Sequence, residues 1–386
     1  MKMASISGTE TVSGAGAGTG TEKIAEIKTQ YKKFVGRKIL FILFSLILIF
    51  IIAGVSATLG SYPISVMEVY SIIWHGIFQN VETTKEFAVW YYRLPRIIMG
   101  ILAGMGLAIA GTMMQGILRN PLASPFTLGI ASGAGFGAAL AILSGASIIA
   151  GETGEYLIIG NAFLFSLIPT FVILLFTRYK RATPETMILA GIAMLYIFSA
   201  ATTLLMYFSE SEAVKEAYFW MVGSLGRATW DELIFSLNLG SLYIPLPGPV
   251  PIVLIGCIIP LMWKSWDLNV MAAGDEAAKS LGVNVEQTRI LILIIASLMT
   301  AGIVCFTGTI GFIGLVAPHM CRMVIGSDNR FLIPASGLFG AALLLTADTI
   351  ARRIIAPEIL PVGAITAFMG GPLFLYLIMR RRREYW

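Results

Sequence analysis

The chain alternates between long apolar runs and short polar segments. Nine runs carry no formally charged residue, and most are long enough for a helix to cross a bilayer core about 30 Å thick, which needs roughly 20 residues. The runs span residues 39–67, 97–118, 120–151, 156–177, 186–209, 233–263, 290–321, 331–347 and 359–379. Because they are continuous rather than alternating in polarity, they predict helices and not the strands of a barrel. The pattern therefore predicts an all-α membrane protein.

The charges at the two ends of the chain constrain the number of helices. Basic residues between positions 23 and 38 precede the first run, and Arg380–Arg383 follow the last, so the positive-inside rule places both ends in the cytoplasm. Two ends on one side require an even number of spans. As one helix, run 290–321 would be about 48 Å long, and its GTIGFIG stretch (308–314) offers a place to reverse direction. We therefore expect two helices in that run and ten transmembrane helices in the chain.

The composition supports a membrane protein and limits its chemistry. The 386 residues are 57% hydrophobic and 13% charged, about half of the roughly 25% charged residues typical of soluble domains. The net charge of +5 gathers at the membrane ends and gives no nucleic-acid signal. Residues 1–22 are rich in Gly, Ser, Thr and Ala, so we expect a disordered tail over 1–36 and a transmembrane domain over 37–386. We expect Cys257, Cys305 and Cys321 to be buried small hydrophobic residues.

The sequence contains none of the common motifs that carry catalysis. It has no GxxxxGK[ST] phosphate loop, no HExxH and no GxSxG, and we expect His75 and His319 to be packing or interfacial residues. We expect no enzyme activity, no cofactor and no metal site. Asp348 precedes Arg352 by four residues, so the two can pair on one helix face. A chain without its own energy source is either a passive pore or is driven by another subunit.

Five motifs occur in an order that resembles the permeases of type II ABC importers, the family that takes up iron–siderophore complexes, haem and vitamin B12. They are RLPR (93–96), GLAIAGTMMQGILRNPLASPFTLGIASGAGFG (106–137), GDEAAKSLGVN (274–284), GTIGFIGLVAPHMCR (308–322) and LPVGAITAFMGGPLF (360–374). The resemblance implies ten transmembrane helices per subunit in a homodimer. It also implies a cytoplasmic ABC ATPase dimer below and an extracytoplasmic substrate-binding protein above.

The resemblance also implies a coupling segment for the ATPase. It would lie in the cytoplasmic loop 267–288, where a rigid polar knob could carry motion from the ATPase to the membrane spans. The expected coupling residues are Gly274, Asp275, Glu276, Lys279, Ser280, Leu281 and Gly282. The two glycines would let the chain turn at each end of the knob. Without the resemblance, the segment reads as an ordinary polar inside loop.

Two further sets of residues match family positions. Arg93, Arg96 and Arg352 match outward-facing family arginines that contact carboxylates of the docked binding protein. Such charge pairs can steer docking and fix its orientation. Lipid headgroups are the alternative partners of the first two arginines, and Asp348 is the alternative partner of Arg352; Arg353 is an equally placed rival.

Within RNPLASP (119–125), Asn120 and Leu122 match residues that close the cytoplasmic end of the pathway. Thr183, in the loop before the fifth predicted helix, is expected to face them. A plain proline-rich turn is the alternative interpretation, because Pro121 and Pro125 remove backbone donors and end helices.

The permease sequence leaves the substrate open, because the binding protein selects it in this family. The resemblance favours an iron(III)–siderophore complex, followed by vitamin B12 and haem, with a small oxyanion as a further possibility. The rival class is a passive channel or secondary carrier. Such a protein would place polar or charged residues near the middle of several helices, and the charge-free runs argue against it.

Overall fold

The computed structural model describes residues 16–60, 64–78, 82–146, 154–179, 183–239 and 242–379. Most of these residues lie in helices. The first half of the chain contains α1 (Gly16–Thr58), α2 (Val66–Phe78), α3 (Thr84–Phe87), a π-helical segment (Ala88–Arg93), α4 (Leu94–Leu118), α5 (Ile130–Ser144), α6 (Glu155–Tyr179), α7 (Pro184–Tyr207) and α8 (Ser211–Val222). The second half contains β1 (Ile234–Leu239), β2 (Leu242–Pro247), α9 (Pro249–Trp263), α10 (Ser265–Met271), α11 (Asp275–Ser280), α12 (Val285–Thr307), α13 (Ile313–Ile325), α14 (Asn329–Ala351) and α15 (Val362–Met379).

Six helical segments of the described chain are long and apolar enough to cross a membrane. They are Phe34–Thr58, Thr84–Leu118, Glu155–Tyr179, Pro184–Tyr207, Val285–Thr307 and Asn329–Ala351. Helices α9 and α10 form a pair bent by 47°, which would make a seventh span. Ile130–Ser144, Ile313–Ile325 and Val362–Leu373 are shorter apolar helices. The structure thus supports a helical membrane protein with six or seven long spans, where the sequence predicts ten.

Two apolar runs show where the helix prediction is right and where it is wrong. Run 290–321 contains α12 and the start of α13, so the expected pair of helices is confirmed. The chain reverses at Gly308 (φ 70°) and Phe312 (φ 68°), both in the left-handed region. The first part of run 233–263 is instead an antiparallel hairpin of β1 and β2, with Ile234 opposite Pro247. Prolines at 245 and 247 remove the N–H groups that a helix needs, whereas a two-stranded hairpin consists only of edge strands and tolerates them.

The N-terminal segment also differs from the prediction. Residues 1–15 of the expected tail lie outside the described residues. Helix α1 begins at Gly16, so residues 16–36 are helical where a disordered tail was expected. Composition alone predicted disorder over 1–22, whereas the residues from 16 onward continue without a break into the apolar part of the same helix.

Helix α4 forms the centre of the bundle. In its most apolar stretch 78% of the residues are buried, against 17% in α1 and 22% in α7, so α4 is enclosed by protein and the other two lie at the periphery. It packs most extensively against α14 and also contacts α12 and α13. The three cysteines are buried in or beside this core, as expected.

The helix ends collect into two polar faces. The Asp348 face contains the end of α1, the start of α4 and the end of α14. The Asp275 face contains α10, α11, the start of α12, the end of α4, the start of α14 and the middle of α1 at Lys38. Helix α14 runs from one face to the other, and its 23 residues correspond to about 35 Å of helix. That length matches a bilayer core of about 30 Å, so the two faces would lie at opposite membrane surfaces.

Candidate functional site

Helix α11 projects from the Asp275 face as a short polar knob. It covers six residues, Asp275–Ser280, and a glycine stands at each border. Gly274 has a φ of 121° and Gly282 a φ of 84°, a region that side chains other than glycine rarely adopt. A Cβ atom added at either glycine would meet nothing within 4 Å, so it is the backbone conformation, and not space, that favours glycine here. Both glycines thus have backbone conformations that suit the predicted turn at each end of the knob.

The inner side of α11 is anchored in two ways. Ala278 is fully buried and packs in a small apolar cluster with Met271 and Val285. The carboxylate of Asp275 accepts hydrogen bonds from two guanidinium groups. Arg119 Nη2 lies 2.5 Å from Asp275 Oδ1, and Arg289 Nη2 lies 3.1 Å from Oδ1 and 3.2 Å from Oδ2. The short helix is therefore tied to the end of α4 and to the start of α12.

The other expected coupling residues lie on or beside the outer side of α11, near the surface. The side chain of Glu276 is 90% exposed and that of Lys279 is 51% exposed, and the two form an ion pair of 3.1 Å. Leu281, just after the helix, is 71% exposed, and Ser280 Oγ donates to the Ala277 carbonyl. A helix with an anchored inner side and an exposed polar outer side can act as a rigid contact surface for another protein.

A second polar cluster on the same face centres on Asp328, the N-cap residue of α14. Its carboxylate accepts from Arg330, from Asn269 of α10 and from the amine of Lys38, which is 3.2 Å away and only 2% exposed. Burial acts to raise the pKa of Asp328, but the hydrogen bonds from Arg330, Asn269 and Lys38 outweigh it and hold the pKa well below its ordinary value. This cluster joins the middle of α1, at Lys38, to α10 and α14.

The expected closing residues lie on or near the loop after α4. Asn120 Oδ1 accepts from the Leu122 N–H at 2.9 Å, which stabilises the turn, and the Leu122 side chain is 45% exposed. Thr183 is the N-cap residue of α7, where its hydroxyl accepts from the Thr186 N–H at 3.3 Å. The geometry thus gives Asn120 and Thr183 local structural tasks, and their part in closing a pathway stays a prediction.

The three arginines expected to dock a partner lie together on the Asp348 face, but they are engaged within the chain. Asp348 is fully buried and accepts from Arg96 Nη2 at 2.7 Å and from Arg352 Nε at 3.1 Å, which confirms the expected pairing of Asp348 with Arg352. Arg93 donates to the Ala57 carbonyl at 2.6 Å, and Arg352 donates to the Leu59 carbonyl at 3.0 Å. These carbonyls lie at or just beyond the end of α1, where helix carbonyls lack partners along the helix, so the arginines cap that end.

This arrangement changes the expectation for docking. Arg93 and Arg96 are 7% and 9% exposed, and the side chain of Arg352 is 8% exposed, so little of their surface faces solvent. Arg353, the equally placed rival, is exposed. The sequence placed all of these arginines at the membrane surface and indicated the Asp348 pair of Arg352, but it gave no sign that Arg93 and Arg96 would turn inward.

A cleft of about 1,090 Å³ opens among α5, α6, α8 and the end of α12. Burial lowers the pKa of the Arg227 guanidinium, and the charges of Glu155 and Glu216 act against that shift. Among the described residues, no group of three or more His, Cys, Asp or Glu could hold a metal ion. The charged lining residues are Glu155, Glu210, Glu212, Lys215, Glu216 and Arg227.

Sequence reasoning missed the partners that hold the polar faces together. Lys38 was identified only as part of the basic N-terminal cluster and Arg119 only as part of RNPLASP, and neither Arg289 nor Asp328 was assigned a role. Lys38, Arg119 and Arg289 stand directly beside long apolar runs, but their acidic partners are 290, 156 and 14 residues away along the chain. For these three residues, a charge directly next to an apolar run was the available signal that the group would be drawn into the bundle.

Long apolar helices between two polar faces define an integral membrane protein. The comparison with known families agrees, since residues 45–380 match the FecCD transport family. The chain belongs to this family, and the resemblance drawn from its five motifs is confirmed.

Relatives and a solved structure support the assignment. An ABC transporter permease protein of Methanocaldococcus jannaschii is 45% identical over 92% of this chain and 98% of its own length. The hemin transport permease HmuU of Yersinia pestis is 38% identical over 88% of this chain and 96% of its own. A solved structure, described as a metal-chelate type ABC transporter in an inward-facing conformation, has a TM-score of 0.73 at 29% identity, covering 88% of this chain and 99% of that one.

Proposed function

We propose that this chain is the membrane permease subunit of an ABC importer and forms the translocation pathway for a metal-chelate substrate. The observation that carries the proposal is the α11 knob, which is anchored to the spanning helices through Asp275 and Ala278 and exposes Glu276, Lys279 and Leu281. In this proposal a separate ATPase binds the knob, because the chain itself has no phosphate-binding loop.

The proposed orientation places the Asp275 face in the cytoplasm and the Asp348 face outside. Both chain ends carry clusters of basic residues, which the positive-inside rule assigns to the cytoplasm. The three shorter apolar helices α5, α13 and α15 would complete ten crossings together with the six long spans and the bent pair. Short helices can cross when neighbouring helices enclose them, and most of α5 is buried in this way.

The proposed assembly is a homodimer with an ATPase dimer and an extracytoplasmic binding protein. Helices α1 and α7 present apolar side chains on the surface of the single chain, including Phe50, Leu189 and Tyr196 at 69%, 68% and 69% exposure. Such surfaces suit contact with lipid or with a second copy in the membrane. The Asp348 face would receive the binding protein.

We propose iron(III)–siderophore complexes as the first substrate to test, with vitamin B12 and haem as the alternatives. Relatives are named as permeases for hemin, cobalamin, Fe(3+)-citrate and molybdate at 33% to 38% identity. Similar permeases thus serve chemically different substrates, which supports the view that a binding protein makes the selection.

The test is transport into proteoliposomes that contain the permease with and without the ATPase and the binding protein of its importer. We expect uptake of a radiolabelled ferric siderophore, cobalamin or hemin only when all three components and ATP are present. Uptake driven by an ion gradient alone, without the ATPase, would identify a channel or secondary carrier and contradict the proposal.

A further inference from the structure

Asp275 does not share the outward orientation of its neighbours on α11. Its carboxylate points to the bundle and is shared by Arg119, at the end of α4, and Arg289, in the first part of α12. Glu276, the next residue, is almost fully exposed. The acidic pair at the start of α11 is therefore divided, with one carboxylate facing outward and the other holding the helix to the bundle.

The two arginines hold Asp275 in different ways. Arg289 is 1% exposed and also donates from Nε to the Ile117 carbonyl at 3.0 Å, so it is fixed within the bundle. Arg119 has a side chain that is 32% exposed, and its Nε is buried without a hydrogen-bond partner among the described residues. Its backbone lies in the left-handed region at φ 46°, which is unusual for a residue other than glycine. Of the two contacts, the one from Arg119 is less fully supported and is the easier to rearrange.

Arg119 also stands at a junction in the chain. It is the C-cap residue of α4 and the first residue of the loop that contains Asn120 and Leu122, and its guanidinium donates both to Asp275 and to the Met271 carbonyl of α10. A displacement of α11 would therefore pull on the first residue of this loop directly, through one charge-assisted hydrogen bond.

We propose that Asp275 is a positioning residue that links α11 to the loop 119–125, so that a movement of α11 changes the exposure of Leu122. This inference rests on the proposed function, in which an ATPase moves α11. It assigns the carboxylate a different task from contact with the ATPase: Glu276 and Lys279 face the partner, and Asp275 passes the displacement to the end of α4.

The test measures the movement at Leu122 itself in the complex of permease and ATPase. Leu122→Cys introduces a thiol on an exposed side chain, while the three native cysteines are buried. Its rate of modification by a polar maleimide is measured without nucleotide and with ATP and vanadate. We expect the rate to change at least about threefold between the two states, and we expect Asp275→Asn to abolish that change. Asp275→Glu, which keeps the charge, should restore it.

The controls distinguish a failure of this inference from a failure of the proposed function. Co-purification with the ATPase and the rate of ATP hydrolysis are measured for every variant. The control variant is Asp231→Asn, which removes an exposed carboxylate far along the chain from the Asp275 and Asp328 clusters. Failure of the unchanged permease to bind the ATPase would contradict the proposed function. The positioning role is wrong if the unchanged permease binds the ATPase and Asp275→Asn still shows the change in modification rate at Leu122. It is also wrong if Asp275→Asn no longer binds the ATPase. Should Asp275→Asn not assemble in the membrane, Arg119→Gln, which leaves the Arg289 pair intact, is judged by the same criteria.

Discussion

At the scale of single residues, the charged side chains beside the apolar runs do more than mark the membrane surface. Arg96, Arg289 and Lys38 are 9%, 1% and 2% exposed, and each has an acidic partner. Removing one member of a buried pair leaves the other without its counter-charge, which costs far more than losing an exposed pair. The stability of both polar faces therefore depends on a small number of carboxylates, with Asp348 and Asp328 the most heavily bonded.

Asp348→Asn should destabilise the protein strongly. The substitution leaves the guanidinium groups of Arg96 and Arg352 buried without a negative charge, and breaking such a pair costs about 3–5 kcal/mol. The measurement is the temperature at which half of the detergent-solubilised protein no longer elutes in the monodisperse peak. Glu68→Gln, in an exposed pair with Lys85, is the matched control and should leave that temperature unchanged. Equal temperatures for Asp348→Asn and the unchanged protein would show that the buried carboxylate is dispensable.

Asp328 predicts a defined pH dependence. Its pKa in the folded chain is lowered from the ordinary value of 3.8, so its contribution to stability is fully present above that value and is lost as pH falls toward the folded pKa. The stability difference between the unchanged protein and Asp328→Asn should therefore stay constant from about pH 7 to pH 5 and shrink below about pH 4. Denaturation curves across this range check it, and a difference that already falls between pH 7 and pH 5 would mean that the carboxylate is not held in its charged form.

At the scale of elements, close helix contacts depend on small residues. A Cβ atom added at Gly104 of α4 would lie 2.6 Å from the Gly340 carbonyl oxygen and 2.7 Å from the Ala341 Cα atom of α14. Neither neighbour is a side chain that can rotate away. Small residues thus lie where the backbones of α4 and α14 touch, as in other membrane bundles.

Gly104→Ala should therefore force α4 and α14 apart and destabilise the bundle by about 1–3 kcal/mol, the usual cost of overpacking. Gly256→Ala in α9 is the control, because an added Cβ there meets nothing within 4 Å, and it should be neutral or stabilising by up to about 1 kcal/mol. Thermal unfolding of both variants in the same detergent gives the comparison. A similar result for the two variants would show that the α4–α14 contact adjusts freely.

At the scale of the whole molecule, the two polar faces belong to different proposed partners. Replacing residues 274–282 by a flexible Gly/Ser linker should leave insertion intact and abolish ATP-driven uptake, because a flexible linker cannot pass on a displacement. Membrane extraction and proteoliposome transport measure the two effects separately. Uptake that survives the replacement would reduce the segment to an ordinary loop.

The opposite face gives a prediction for docking of the binding protein. Arg353 is exposed, so Arg353→Glu should weaken association with the binding protein by reversing a steering charge, and it should leave stability and ATPase binding unchanged. Arg96→Glu would place a second acidic group beside Asp348 and should lower stability as well. Surface plasmon resonance with the binding protein, together with thermal unfolding, distinguishes the two. Unchanged affinity for Arg353→Glu would assign the docking role to other residues of this face.

Much of this organisation could be predicted from the sequence, and the errors have physical causes. The long charge-free runs indicated the main helices, and GTIGFIG indicated the reversal between α12 and α13. The hairpin over 234–247 was missed because mean apolarity does not distinguish a strand from a helix, although its prolines disfavour a helix. The inward orientation of Arg93 and Arg96 could not be predicted, because a position beside an apolar run does not specify which way a long side chain will turn.

The sequence by itself determined the membrane class and the main helices, because these depend on local apolarity and on charge at helix ends, and it located the polar knob through the family motif GDEAAKSLGVN. Only the tertiary structure decided which charges meet. Arg96 and Asp348 are 252 residues apart in the chain, and Arg119 and Asp275 are 156 apart, yet each pair is in direct contact. Such pairs form because bundle packing brings distant helix ends together and removes them from water, where an unpaired charge would be costly.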